Sequence, residues 1–119
     1  MSKTALDKFG QILIQNVRDE SISDWKMIVT GQMKSQRAQS IRDKLSGLTD
    51  EQRQVFLSMI SEVADTVLHH LLQCLEEEDD IELAITADGN RVQSLRDVSD
   101  GLPGELYTDE GWIARFGKP

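Results

Sequence analysis

The sequence predicts a mainly α fold. Helices pack around one long central helix at about 50–76, with a small β-hairpin at about 81–95 and an ordered C-terminal tail. Three observations carry this reading. Apolar residues recur at spacings of three and four through most of the first 75 positions, the signature of helices with one buried side. From Val55 to Leu75 that recurrence is unbroken and starts behind a capping signal. After Asp80 it gives way to partial alternation and turn residues, which suit strands and loops.

The elements follow in order. Leu6, Phe9, Leu13 and Val17, with Ile12 beside them, predict a helix over 4–18, weakened slightly by Gly10. Ser21 or Ser23 would N-cap a second helix with Trp25, Ile28, Val29 and Met33 inward. Ala38, Ile41 and Leu45 mark a third segment over about 35–46, closed by Ser46-Gly47. Thr49 and Gln52 fit a capping box, and Asp50 and Glu51 suit the positive end of a helix dipole.

Behind that cap the pairs Val55/Phe56, Met59/Ile60, Val63/Ala64, Val67/Leu68 and Leu71/Leu72 repeat every four residues. At about 100° per residue each step overshoots a turn by about 40°, so the apolar arc slides around the helix. Such a helix should meet different neighbours at its two ends and be the most buried element. Ile81 to Ile85 reads as a strand, Ala87-Asp88-Gly89-Asn90 as a turn, and Val92 and Leu95 as part of the returning strand. Asp100-Gly101-Leu102-Pro103-Gly104 is a loop. Thr108 would cap a last helical turn in which Trp112, Ile113 and Phe116 share a side. The tail should therefore dock, on the chain's own helices or on a second copy.

A chain of 119 residues forms one domain, residues 1–119, with room for a core that needs no staples. No apolar run approaches 20 residues, so no membrane span is expected. MSKTALDKFG has no apolar stretch of the kind that secretion signals carry. The single cysteine rules out an internal disulfide and fits a reducing cytoplasm. Charge is uneven: residues 1–60 sum to +2 and residues 61–119 to −10, giving the net −8. So acidic a half repels phosphate backbones, which argues against general nucleic-acid binding. Lys34, Arg37, Arg42 and Lys44 form the one counter-cluster, without aromatics between them.

Candidate chemistry concentrates in LHHLLQCLEEEDD, residues 68–80. His70 and Cys74, four apart, have the spacing of half a zinc site. The sequence holds no other Cys and no further His beyond His69, so a buried thiol beside a hydrogen-bonded histidine is the preferred reading. His69 with Asp65 and Glu62 makes an acid–base or metal trio, or else a solvated surface. Glu76, Glu77, Glu78, Asp79 and Asp80 lie where the helix dipole disfavours negative charge. Either the helix ends there and the acids are solvated, or they keep a surface acidic for a basic partner. Asp79, Asp80 and Asp88 do not fit calcium-loop spacing. No Walker loop, GxGxxG, HExxH, GxSxG or CxxC occurs, so no catalytic residue, metal or cofactor is assigned. Asp100-Gly101 and Glu105 in DGLPGEL read as turn residues before they read as a site.

LHHLLQCLEEED, DGLPGEL and GWIARF together resemble a pattern in small bacterial proteins of no assigned function, over roughly residues 68–117. The resemblance implies a bacterial, cytoplasmic, one-domain protein and supplies no catalytic residues. The expected function is a non-enzymatic protein-binding module, of immunity or adaptor type, with a basic partner at Glu76–Asp80. The alternative is a small metal-dependent enzyme using His69 or His70 with nearby carboxylates.

Overall fold

Residues 2–30 make one rod. The structure, a computed structural model, describes residues 2–119. Helix α1 (Ser2–Leu13) runs through a π-helical turn (Ile14–Arg18) into α2 (Asp19–Thr30) without a break, where the sequence predicts a helix over 4–18 and a second one capped at Ser21 or Ser23. In the π turn the Asp19 N–H donates to the Ile14 carbonyl, five residues back. Residues five apart then line up: Leu13 and Ile14 lie buried above Arg18 and Asp19. Extrapolating a pure α-helical period puts Val17 inward. The extra residue in the turn leaves Val17 exposed and brings Arg18 in.

Gly31, at φ 85, ends α2 in a left-handed cap, a conformation that costs glycine little. Ser35 then caps α3 (Gln36–Leu45), its side chain accepting from the Ala38 N–H. Thr49 and Gln52 form the expected capping box, and α4 runs from Asp50 to Glu77. Strands β1 (Ile85–Ala87) and β2 (Asn90–Val92) pair antiparallel, with Ile85 opposite Val92. Asp88 and Gly89 both take positive φ, 53 and 79, the turn whose twist matches a hairpin. The strands are shorter than the expected 81–95. Ile81 lies exposed ahead of them, and Leu95 opens a 3-10 turn (Leu95–Val98). A second 3-10 turn spans Leu102–Leu106, and α5 spans Trp112–Phe116. Thr108 does not cap α5. Gly111 holds that position, and Thr108, at φ 74, accepts the Gly111 N–H with its carbonyl.

The core sits at the C-terminal end of α4. Ile14, Leu72, Leu95, Leu102, Leu106 and Trp112 are fully buried there, and Phe9, Ile113 and Phe116 pack against the cluster. The tail therefore docks on the chain's own helices, as the clustering of its aromatics predicts. Trp112 meets Phe9 edge-on, with ring centroids 5.9 Å apart. Its indole lies so close to α1 that a Cβ on Gly10 would overlap it. The residue that weakens α1 as a helix is the one that admits the tryptophan.

The expectation that α4 is the most buried element fails. Only Leu68 and Leu72 of its 28 residues are buried. The N-terminal part of α4 is flanked by α2, which in turn packs against α3. The molecule is accordingly long, 50 × 30 × 26 Å. Its radius of gyration is 17.1 Å, against about 13–14 Å for a compact domain of this length.

Candidate partner-binding face

The open side of α4 follows from its four-residue repeat. Two residues of a pair point about 100° apart, and α2 with the core covers only one of the two directions. The second members Phe56, Ile60, Ala64, Leu68 and Leu72 turn toward that cover. The first members Val55, Met59, Val63, Val67 and Leu71 stay 43–62% exposed. Leaving five such side chains roughly half exposed forgoes about 4–7 kcal/mol, half of the return on burying each fully. A contiguous patch of this kind marks an interaction surface on a soluble protein.

A groove of about 400 Å³ runs alongside the stripe, between α4 and the π turn with α2. Val17, Trp25, Phe56, Met59, Ile60 and Val67 line it, and Trp25 meets Phe56 edge-on at 6.1 Å. Between residues 54 and 76 of α4, no Asp, Glu, Lys or Arg falls within about 80° of Val63 around the helix. The ridge carries no fixed charge, and the charged side chain lining the groove is Arg18.

One edge of the groove is set by Arg18. Its Nε donates to Asp65 Oδ1 at 2.6 Å and its Nη1 to Asp19 Oδ1 at 3.2 Å. Asp19 Oδ2 accepts the Lys118 N–H, so the cluster joins the rod, α4 and the tail. Burial alone would lower the Arg18 pKa, but the two carboxylates outweigh it and raise it above the usual value.

The histidines fall outside this face or at its margin. His70 and Cys74 are both exposed, which corrects the reading of a buried thiol beside a hydrogen-bonded histidine. The first two thirds of α4 lack the outer cover that reading assumed, and its last turns are covered on the other side. His69 is held through Nδ1 to the Tyr107 hydroxyl at 2.9 Å. Partial burial and the Asp65 carboxylate push the Tyr107 phenol above its ordinary value, so it stays protonated at neutral pH. The trio His69, Asp65 and Glu62 is divided: Asp65 is taken by Arg18, His69 by Tyr107, and Glu62 faces solvent. Among the described residues, no three His, Cys, Asp or Glu side chains stand where they could hold a metal ion.

The acids after Leu75 divide as well. Glu76 accepts the Leu102 N–H at 2.6 Å and so anchors the DGLPGEL turn. Glu77 accepts from Gln73. Glu77, Glu78, Asp79 and Asp80 are exposed. The Arg96 guanidinium donates to the Glu78 carbonyl at 2.7 Å and to the Leu75 carbonyl at 3.5 Å. That cation offsets the acids at the negative end of α4. In the DGLPGEL turn, Glu105 accepts the Ser99 hydroxyl, which gives it a structural role.

Sequence reasoning reached the stripe residues but placed them inside. It missed Arg18, whose inward turn depends on the π register, and Tyr107, which meets His69 across 38 positions of chain. No family model, curated protein or solved structure matches the chain, so the functional reading rests on the geometry of this face.

Proposed function

We propose that the chain is a non-enzymatic protein-binding module, of adaptor or toxin-neutralising type, and that it binds through the open face of α4. One observation carries the reading: five half-exposed aliphatic residues in a row, beside a mainly apolar groove whose one charged lining residue, Arg18, is paired with Asp19 and Asp65. Covering such a face drives protein association. By length and apolar composition alone, α4 is also long enough to cross a membrane. We read an interface instead, because Leu68 and Leu72 are locked in the core and Asp65 is paired with Arg18.

The exposed acids Glu77, Glu78, Asp79 and Asp80 have a secondary role in this reading. They steer a basic partner toward the molecule, and salt screens that effect within about 10 Å. The setting is a bacterial cytoplasm. The resemblance over residues 68–117 supports it, as does an exposed free thiol at Cys74.

The double substitution Val63→Lys and Val67→Lys tests the face. It should abolish association with whatever protein the untagged chain holds in its native host, while the circular dichroism of the C-terminal core is kept. Association unchanged by both lysines would overturn the reading. So would a stoichiometric metal ion bound through His69 or His70 in untagged protein, since that would restore the enzyme alternative.

A further inference from the structure

The protein that fits this face best is another copy of the chain. We infer that α4 packs antiparallel on α4 of a second copy, across a two-fold axis near Val63. The inference rests on the protein-binding reading above and names what is bound.

The first argument is the incomplete arm. Among the described residues from Glu20 to Val67, only Ile28 and Ala38 are buried. A segment this long with so little core lacks a layer wherever the protein is made. The one partner present whenever the chain is present is the chain itself.

The second argument is shape. Val55, Met59, Val63, Val67 and Leu71 form a ridge along every fourth residue. Ridges of that pitch interdigitate when both helices carry them, crossing at about −50°. A second copy brings the same ridge, and the groove beside it receives the ridge of its mate. Ridge and groove side by side on one surface are what a two-fold, self-complementary contact requires. Val63 lies at the middle of Asp50–Glu77, so a crossing there uses the helix evenly.

The third argument is charge, and it selects the orientation. Residues 1–60 carry +2 and residues 61–119 carry −10. A parallel pair would set acidic half against acidic half. An antiparallel pair sets the acidic end of one α4 toward the arm of the other, where residues 31–53 hold Lys34, Arg37, Arg42, Lys44 and Arg53 against Asp43, Asp50 and Glu51, a net of +2. The basic surface that the acids call for is then the arm of the second copy.

Sedimentation equilibrium on the full chain from about 1 to about 100 µM tests this, a range that reads dissociation constants near the micromolar. The expected result is a dimer that dissociates on dilution. Val63→Glu with Val67→Glu should weaken it at least about a hundredfold. Disulfide trapping in a Cys74→Ser background provides a test that does not depend on that variant folding. Val63→Cys should give a covalent dimer, and Asp100→Cys, far from the face, should not. A mixture of Met59→Cys and Val67→Cys should cross-link to each other faster than either does to itself. Faster self-linking would overturn the antiparallel arrangement. A monomer at the highest concentration would overturn the second copy. In that case, uptake of an apolar dye that the Val63→Glu/Val67→Glu variant loses would leave the protein-binding reading standing. No uptake would remove both.

Discussion

The two ends of α4 live in different surroundings. Its C-terminal half packs on the Leu102–Leu106 turn, and there Leu68 and Leu72 close into a core with Leu6 and Leu13 of α1, Leu95 and Trp112. Its N-terminal half meets α2, backed by α3, and buries nothing completely. The apolar pattern is the same in both halves. Hydrophobic periodicity therefore reports which residues can be buried, while burial depends on how many elements the rest of the chain supplies. Residues 78–117 go to the C-terminal end; beyond them only Lys118 and Pro119 reach back, on the side of α2 that faces Gln54 and Ser58, and the other end keeps its apolar pairs half uncovered.

The largest effect should come from the closed end. Trp112→Ala removes a fully buried ring and should cost about 3–5 kcal/mol in urea unfolding. Removal of residues 111–119 should be at least as damaging. Phe56→Ala, at the open end where the ring is half covered by Trp25, should cost about half as much. Equal losses at Trp112 and Phe56 would erase the contrast between the two ends.

Next in size is the joint between them. Arg18→Ala strands buried Asp19 and partly buried Asp65. Removing one partner of a buried pair costs about 3–5 kcal/mol, and the solvent that reaches Asp65 lowers this to about 2–4. Arg18→Lys should restore little, since a single ammonium cannot reach both carboxylates with the same fork. Full rescue by lysine in thermal melts would mean that the pairing geometry does not matter.

Gly10→Ala sharpens the comparison through its sign. In an open helix this change stabilises by about 1 kcal/mol. Here the new methyl meets the Trp112 ring, and overpacking of this kind costs about 1–3 kcal/mol. A rise in melting temperature would show that the tail is held more loosely than its burial indicates.

The legible part of the fold was whatever depended on local signals. The Thr49–Gln52 box, the Ser46-Gly47 stop, the Asp88-Gly89 turn and the docking of Trp112 and Phe116 are all written in short stretches. Burial along α4 was not, because it depends on which distant element lies over each face. Arg18 was hidden for another reason: one added residue in a π turn moves every later side chain by about 100°, and no spacing rule announces it. At the candidate face, Val63 and Val67 were visible as apolar and invisible as exposed. The acids 76–80 were visible as a group, but the separate task of Glu76 at the Leu102 N–H was not.

The smallest effect concerns how the tail is pinned to the closed end. Arg115 grips Asp7 with two hydrogen bonds, Nη2 to Oδ1 at 2.8 Å and Nη1 to Oδ2 at 3.2 Å. That grip holds the Asp7 carboxyl below its ordinary range, against the opposing effect of burial. A carboxyl whose pKa falls on folding contributes stability above its unfolded value of about 3.9, and the contribution is lost as pH drops through the lower folded value. The pair is partly exposed, at 35% and 27% of the two side chains, so solvent screening limits it to about 0.2–1 kcal/mol. Asp7→Asn should therefore lower stability slightly at pH 7. Unfolding curves of the two proteins should converge as the pH falls below about 4. A gap that persists undiminished to the lowest pH at which the protein stays folded would mean that the ion pair is not its source. Tail docking would then rest on Trp112, Ile113 and Phe116 alone.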